Sequence, residues 1–409
     1  MEQSIRFIHC ADLHLDSPYR GLKHLPNHIF QDIKESTFIA LDRLVQFAID
    51  ERVDFVLFAG DIFDQQSATL KSYIQFHRAL EKLNEFNIQA YISFGNHDYG
   101  IQSKTNLTFP SNTHLFKSDD VTHFRFEKGE QKVYIYSFSY DKQAVTERKI
   151  DQYVRLSNDG LHIGMLHGSL QSDTDHYQYA PFLIDDLKNK RFDYWALGHI
   201  HKRMILSEEP YAVYPGNIQG RHMKETGEKG CYLVELSEVG AHLDFQPLQY
   251  ILFKKDELYI QGKTLNDVIY EFEQYKEQLK KTQSKIMLRL HVTLDKDNDM
   301  LFEENKRDEL IQLLNDDEED ESNWVWIENM TVERQITYDR ERLKQSSHFT
   351  GEMIRTIDQK DDVTVYFNEL LNHRLFRKYI DDPGEEELDE IKSEAEKLVV
   401  KKLLQGGLE

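Results

Sequence analysis

Five predicted strand ends in this chain carry side chains that bind divalent cations. Each end follows a short apolar run, and the side chains there are carboxylates, imidazoles and one amide, with no thiolate among them. These residues are Asp12, His14, Asp61, Asn96, His167, His199 and His201. Because the carboxyl ends of the strands in an α/β sheet present ligands at one edge, we expect these side chains to converge. The pattern predicts a metal cluster built from oxygen and imidazole donors.

A pair of divalent cations about 3.5–4 Å apart can clamp a phosphate and lower the pKa of a water between them. Such a centre needs one carboxylate shared by both ions. Asp61 is predicted to be that bridge because it follows the middle one of the first three strands. One ion would be completed by Asp12, His14 and His201, and the other by Asn96, His167 and His199. Mixed donors of this kind suit manganese, iron or zinc better than magnesium.

His97 follows the predicted ligand Asn96, so its side chain is expected to face the substrate rather than the same ion. We predict that His97 is catalytic and either stabilises charge on phosphorus or protonates the leaving oxygen. Asp98 is predicted to orient and charge the His97 ring. The alternative for His97 is a structural role beside the ligands. For Asp64, loop capping and a hydrogen bond to a ligand are equally open.

The elements that must position these residues alternate between apolar strands and helices with an apolar stripe. Strand, helix, strand, helix, strand over residues 5–95 is typical of a doubly wound α/β sheet. Shorter strands between residues 113 and 248 predict a second sheet, with a helix around Ala144 to Leu156. We therefore predict an α/β fold in which residues 1–250 form a two-sheet sandwich flanked by helices.

The rest of the chain is predicted to form three further segments. Residues 251–340 combine two helices with two strands, Ile286 to Leu294 and Trp324 to Thr331, which predicts a small α+β domain. Residues 341–360 have the composition of a polar linker, and residues 361–409 follow it.

The last segment predicts a pair of helices separated by the strong breaker Asp382-Pro383-Gly384. Phe367, Phe376 and Tyr379 are large apolar groups for so small a unit to bury. We therefore expect this helix pair to dock on a partner, although packing on its own domain is the simpler reading of the stripes.

The formal net charge of −22 taken alone argues against a nucleic-acid partner. Residues 1–250 contain 26 basic and 34 acidic side chains, so most of the acidic excess lies in residues 251–409. Binding of a polyanion is therefore expected to be local and partly mediated by the metal ions.

Cys10 and Cys231 lie in separate apolar runs and are predicted to be buried, reduced thiols. The sequence contains no apolar run of the length that a membrane span requires, and its start reads as a strand rather than as a signal peptide. A cytoplasmic protein with no membrane partner is expected.

The five motifs together resemble those of the calcineurin-like metallophosphoesterases. In chain order they are Asp12-Leu13-His14, Gly60-Asp61-Ile62-Phe63-Asp64, Gly95-Asn96-His97-Asp98, His167-Gly168 and Gly198-His199-Ile200-His201. The sequences of these motifs and the chain length are most similar to those of SbcD-type DNA repair exonucleases and of the meiotic recombination nuclease of archaea and eukaryotes. The opening Asp12 to Pro18 is closest to the bacterial YhaO branch.

This resemblance implies manganese-dependent cleavage of DNA phosphodiesters, usually exonucleolytic, in DNA repair. It implies that residues 251–340 cap the DNA and that residues 361–404 grip the coiled coil of an SMC-like ATPase. Family members commonly form homodimers, so a homodimer is expected. The metal assignments above agree with the family pattern. Asp64 stands where archaeal and eukaryotic members carry a second substrate-facing histidine, whereas SbcD-type proteins also have aspartate there.

Arg221 and His222 follow Pro215-Gly216-Asn217, which replaces the Pro-Gly-Ser common in the family. They are candidate contacts to DNA phosphate, with simple solvent exposure as the alternative. Two other functions stay open. One is a phosphodiesterase or phosphatase that uses the same site on a different substrate. The other is a non-catalytic subunit that tethers an ATPase to DNA.

Overall fold

The computed structural model describes residues 4–19, 22, 25–64, 69–100, 109–171, 179–282, 284–295, 301, 304–318, 321–334, 339–359, 392–393, 395–400 and 402–403. Contacts divide the chain into two units. The first comprises Met1–Glu257, Ile269–His291 and Asn305–Thr331, and the second comprises Leu258–Val268, Val292–Glu304 and Val332–Glu409. The domain boundaries predicted near residues 250, 340 and 360 stay predictions.

The strands of the described residues are numbered here in chain order. They are β1 Ile5–Cys10, β2 Phe55–Ala59, β3 Gln89–Ser93, β4 Thr113–Leu115, β5 Thr122–Lys128, β6 Gln131–Ser137, β7 Leu161–His167, β8 Tyr194–Gly198, β9 Met204–Glu208, β10 Tyr211–Tyr214, β11 Gly230–Ser237, β12 Gly240–Pro247, β13 Ile251–Ile260, β14 Lys285–Leu294 and β15 Val325–Arg334. The α-helices are α1 Asn27–Asp50, α2 Leu70–Glu85, α3 Ile184–Asn189, α4 Leu265–Lys280, α5 Glu304–Asp316, α6 Arg340–Lys344 and α7 Phe349–Asp358.

Two six-stranded sheets form the part of the chain that carries the predicted ligands. The first has the order β12-β11-β1-β2-β3-β4, and its strands from β1 to β4 are parallel. The second has the order β5-β6-β7-β8-β10-β9, with parallel pairing from β6 to β10 and an antiparallel hairpin at β5 and β6. Five of these strands, β1, β2, β3, β7 and β8, end at or just before predicted ligands.

Alternation along the strands divides the core between the two faces of each sheet. On β1, Ile5 and Phe7 pack in one apolar cluster together with Val133 and Ile163 from the second sheet. Ile8 belongs to a different cluster that also contains the apolar stripes of α1 and α2. Since successive side chains of a strand point to opposite faces, the first cluster fills the space between the sheets. The predicted α/β two-sheet sandwich flanked by helices is confirmed.

Strands β13, β14 and β15 form a three-stranded sheet in that order. Two of these strands, and the helices α4 and α5, lie where the sequence predicts elements of a small α+β domain. Strand β13 was not predicted. Its alternation is obscured because the charged run Lys254 to Glu257 interrupts the apolar residues that are buried at its two ends.

The helix predicted around Ala144 to Leu156 is wrong, because only Lys149–Gln152 forms a single 3₁₀ turn there. Val145, Ile150 and Tyr153 are all buried in the cluster on the outer face of the second sheet. The carbonyl of Val145 accepts a hydrogen bond from the Ala180 amide, which a helix at this position would use internally. Tertiary contacts therefore replace the local helical hydrogen bonds.

Residues 341–360 were predicted to be a polar linker, yet α6 and α7 fall within or beside them. Ile354 is fully buried, and Arg340 forms ion pairs with Asp358 and Glu396 inside the second unit. The polar composition hides this packing because one buried isoleucine gives little periodic signal. Of the predicted C-terminal helix pair, residues 361–391 lie outside the described residues, while residues 395–400 are helical.

Cys10 and Cys231 are buried free thiols, as predicted. Among the described residues, no helix is both long enough and apolar enough to cross a membrane.

Gly164 shows how tightly the outer face of the second sheet is packed. A Cβ atom at this position would lie 2.3 Å from the Trp195 ring, which is fully buried and stacks on Phe192. We expect Gly164→Ala to lower the free energy of unfolding by about 1–3 kcal/mol, because the indole must shift within a close-packed core. Urea unfolding followed by tryptophan fluorescence measures this change, and an unaltered midpoint would contradict it.

Candidate metal centre

The seven predicted ligands lie at the carboxyl ends of neighbouring parallel strands. Those of the first sheet follow β1, β2 and β3, and those of the second sheet end β7 or follow β8. Strand β2 contacts both β7 and β8, and the Ala59 carbonyl at its end lies 3.0 Å from Nδ1 of His167. This contact joins the functional edges of the two sheets. The structure thereby brings together Asp12, His14, Asp61, Asn96, His167, His199 and His201.

One group of donors consists of Asp12, His14 and His201, whose ligand atoms lie within 4.8 Å of one another. The Nε2 atoms of the two histidines face each other at 3.1 Å. Nε2 of His201 is 3.9 Å from the Asp12 carboxylate. Two imidazole nitrogens that point at each other beside a buried carboxylate are typical of a cation site.

The second group is centred on the amide oxygen of Asn96. Nε2 of His167 and Nδ1 of His199 each lie 3.1 Å from that oxygen. The Asp61 carboxylate is 3.3 Å from His167 Nε2 and 3.7 Å from His14 Nε2, so it touches both groups. The structure therefore places Asp61 in the position that a bridging ligand requires.

Several of these residues have a left-handed backbone conformation that is rare outside glycine. The φ angles are 53° at Asp12, 44° at His14, 52° at Asp61 and 99° at His199. Each such residue costs about 1–3 kcal/mol and persists only where the surrounding structure imposes it. The first three are hydrogen-bonded into crossing loops, since the amides of Asp12 and His14 donate to the carbonyls of Gly60 and Asp61. This strain concentrates at the ends of β1, β2 and β8.

Burial and neighbouring charges set the protonation of the cluster. Burial lowers the pKa of His14 far below its usual value, and Arg221 adds to that effect. Burial likewise lowers the pKa of His199 to about 3, so both rings are neutral and offer a lone pair. Burial alone would raise the pKa of Asp61, but His167 outweighs it and holds that pKa well below its usual range. Burial also disfavours a charged His167, yet Asp61 raises its pKa to about 9.

His97 lies beside the first group of donors, with its side chain 44% exposed. Its ring meets the His14 ring edge-on at 4.9 Å between centroids, and its amide donates to the Asp61 carboxylate at 2.9 Å. Nδ1 of His97 lies 3.7 Å from the Asp64 carboxylate, and the pKa of His97 is raised chiefly by Asp64. Asp64 is therefore the carboxylate that orients and charges the ring.

The prediction that Asp98 orients the His97 ring is wrong. Asp98 is fully buried, and its two oxygens accept hydrogen bonds from the amides of Gly95, Ile62 and Phe63. Burial raises the pKa of Asp98 to about 7. Asp98 therefore fastens the loop after β3 to the loop after β2, which positions Asn96 and Asp61 relative to each other.

Glu225 is a site residue that the sequence did not indicate. Its Oε1 lies 2.7 Å from Nδ1 of His201, and its Oε2 accepts from the Asn217 amide group at 2.9 Å and the Arg221 amide at 2.8 Å. A carboxylate that holds the far nitrogen of a ligand histidine fixes its tautomer and ring orientation. Glu225 stands in a polar stretch with no adjoining strand, so neither periodicity nor spacing singles it out.

We expect Glu225→Ala to weaken divalent-cation binding by about 10–100-fold, because the ring of His201 loses the carboxylate that orients it. Isothermal titration with Mn²⁺ measures this effect directly. Glu228→Ala, in the same loop, is the matched control and should bind Mn²⁺ as the unaltered protein does. Equal affinities for the Glu225 and Glu228 variants would show that the contact with His201 has no role in binding.

Of the two candidate DNA contacts, Arg221 is mostly buried and His222 is exposed. The Arg221 side chain is 16% exposed, and its guanidinium contacts Ser17 Oγ at 3.2 Å and His201 Nδ1 at 3.1 Å. The His222 side chain is 55% exposed. Arg221 is therefore a fixed cation beside the first group of donors, and contact of either residue with DNA stays a prediction.

The donor set fits a pair of divalent cations. Imidazole nitrogens, carboxylates and an amide oxygen converge, with contacts from 3.1 Å to 3.9 Å between them. Because burial lowers the pKa of His14 and His199, both rings are neutral and each has a lone pair for a cation. No cysteine takes part in the groups found among the described residues. Such donors suit manganese, iron or zinc. The residues that would hold the cations are the seven named above, with Asp61 between them.

Comparison with known proteins gives the same assignment. Residues 5–203 match the family described as calcineurin-like phosphoesterase. The metallophosphoesterase YhaO of Bacillus subtilis is 37% identical over 98% of this chain and 99% of its own length. The DNA double-strand break repair protein Mre11 is 25% identical in Methanocaldococcus jannaschii, over 60% of this chain and 66% of that protein. Mre11 of Methanococcus maripaludis is also 25% identical, over 65% of this chain and 72% of its own.

The family resemblance predicted from the five motifs is confirmed by a relative that matches this chain over nearly its whole length. The fold and the converging donors agree with that relationship. The chain therefore belongs to the calcineurin-like phosphoesterases, a family of metal-dependent hydrolases.

Proposed function

We propose that this protein is a manganese-dependent DNA nuclease, acting as an exonuclease in DNA repair. The observation that carries the proposal is the position of Asp61, whose carboxylate touches His14 in one group of donors and His167 in the other. A carboxylate shared in this way would hold two cations. Paired cations suit the in-line displacement at a phosphodiester, because both the attacking and the leaving oxygen need stabilisation.

When bound, the two cations would lower the pKa of a water and neutralise charge on the phosphate oxygens. The protein's own residues supply the rest. His97 donates a proton to the leaving oxygen, and Asp64 holds the Nδ1 side of its ring so that the other nitrogen faces the substrate. Arg221 provides a fixed guanidinium for a non-bridging phosphate oxygen.

DNA is proposed as the substrate because the archaeal relatives are named as DNA double-strand break repair proteins. An SMC-like coiled-coil ATPase is proposed as the partner of residues 361–404, and a homodimer as the assembled form. The support for both is the family resemblance, together with the large apolar side chains of that segment.

The test is an assay with end-labelled single- and double-stranded DNA. It is run with Mn²⁺ or with a chelator, and with or without a coexpressed coiled-coil ATPase. We expect Mn²⁺-dependent release of mononucleotides that the chelator abolishes. Intact DNA together with hydrolysis of cyclic nucleotides or aryl phosphodiesters would identify a phosphodiesterase of another kind. DNA binding without hydrolysis of any of these substrates would favour the tethering function.

A further inference from the structure

A cleft of about 630 Å³ opens beside His97, Asp64 and Arg221. This volume lies within the range of sites that bind small molecules or single groups of larger ligands. All the lining residues belong to the first unit. None of the seven predicted ligands lines this cleft, so it lies beside the candidate metal centre rather than within it.

One wall of the cleft is apolar and preformed. It consists of Tyr19, Leu22, Met223, Phe253 and Met287. These residues belong to, or pack against, an apolar cluster that also includes the fully buried Trp324, so their positions are fixed by core packing. Aromatic rings and thioether sulfurs both make favourable contacts with the face of a flat aromatic ligand.

The polar groups of the cleft are mainly cationic. Arg221 lies toward the metal centre, and His222 and Lys224 follow it. Arg289 is held by Glu328 through a two-pronged ion pair, with Nε at 3.0 Å from Oε2 and Nη2 at 2.9 Å from Oε1. Across the part of the chain that the structure describes, Nη1 of Arg289 has no hydrogen-bond partner. Its hydrogens are therefore available to an acceptor inside the cleft.

We propose that this cleft binds the nucleoside whose phosphate is hydrolysed at the metal centre. The base packs on the wall of Met223, Phe253 and Met287, with a carbonyl or ring nitrogen accepting from Arg289. The attached phosphate lies at His97 and Arg221. This inference rests on the proposed function. It adds a site that contacts the base next to the hydrolysed phosphate, in addition to contacts with the phosphate itself.

Charge and polarity together favour this occupant. A nucleotide combines an anionic phosphate with a flat, largely apolar base that carries hydrogen-bond acceptors. The cleft offers all of these features: Arg221 beside His201 of the metal centre, the apolar wall, and Arg289 with a free donor. An extended peptide would have no partners for its amide groups along the wall of methionine and aromatic side chains.

Three chromogenic esters with the same leaving group test the proposal. They are the 5′- and the 3′-p-nitrophenyl phosphate of thymidine and methyl p-nitrophenyl phosphate, each assayed with Mn²⁺. Stacking of one base gives roughly a tenfold gain. We therefore expect kcat/KM for one of the thymidine esters to exceed that of the methyl ester by about tenfold. The favoured ester identifies the sugar oxygen that carries the phosphate in the cleft.

Two results distinguish failure of the nucleoside-site proposal from failure of the proposed function. Equal kcat/KM for all three esters would overturn the nucleoside site while leaving the phosphodiesterase in place. Failure to hydrolyse any ester would overturn the phosphodiesterase itself, and the cleft proposal with it. Because no DNA is present, the outcome is independent of how the nuclease engages a duplex.

Two variants locate the base. Arg289→Gln removes the guanidinium from a side chain that is 40% exposed, so folding should be preserved. We expect about a fivefold rise in KM for the preferred thymidine ester and no change for the methyl ester. Met223→Trp fills the cleft and should have the same selective effect. Arg125→Gln, which breaks the exposed pair with Glu127, is the matched control. Equal effects of the cleft variants on all esters, or none on any, would contradict the assignment.

Discussion

His97→Ala is expected to lower turnover of DNA or of a chromogenic phosphodiester by about 10²–10⁴-fold, while the protein keeps its full content of bound metal. The range is that of a lost general acid. Metal content should persist because none of the short contacts among the seven predicted ligands passes through the His97 ring. The hydrogen bond to the Asp61 carboxylate is donated by the backbone amide of His97, so it survives the substitution.

Turnover and bound manganese must be measured on the same preparation of the His97 variant. His242→Ala is the matched control, since that side chain is 71% exposed on β12 and pairs with Asp244. Normal turnover of the His97 variant would exclude a catalytic role. Loss of metal along with turnover would instead make His97 a support of the ligands. Partial recovery on addition of free imidazole would identify proton transfer as the missing step.

The surroundings of the same ring show how much of the site can be predicted from the sequence. The convergence of His97 and the seven predicted ligands could be predicted because each stands at or just after the end of an apolar run, and the ends of parallel strands meet at one edge of a sheet. Which carboxylate accompanies His97 was assigned incorrectly. Asp98 is adjacent in sequence, but the turn directs it to three backbone amides, and Asp64 approaches from another loop. Adjacency in the sequence therefore does not predict which of two carboxylates contacts the ring.

Two further features of the site could not be predicted from the sequence. Glu225 reaches His201 from a polar stretch between β10 and β11, where no periodicity marks it. The left-handed backbone at Asp12, Asp61 and His199 occurs at residues with no intrinsic preference strong enough to predict it. Crossing loops impose that conformation through long-range hydrogen bonds. Strand β13 and the helices within residues 340–358 were missed for a related reason, because charged residues dilute the apolar pattern.

Asp61→Asn is expected to abolish the stabilisation that Mn²⁺ gives the protein and to reduce hydrolysis by at least about 10³-fold. At a concentration 100 times the dissociation constant, a bound ligand raises the free energy of unfolding by about 2.7 kcal/mol. The carboxylate of Asp61 contacts donors of both groups, so its neutralisation weakens both cation sites together. A change at His199 would act first on the single group centred on Asn96.

The Asp61 variant should still fold, and this makes the experiment decisive. Asparagine has the same shape and its amide oxygen can accept from the His97 amide, as Asp61 does at 2.9 Å. Without metal the melting temperature should fall, because His167 loses its buried ion-pair partner, and the further rise produced by Mn²⁺ should disappear. Asp244→Asn, on an exposed side chain, should keep the full shift. If the Asp61 variant also kept it, the two groups of donors would not share a carboxylate, and a paired-cation mechanism would lose its structural basis.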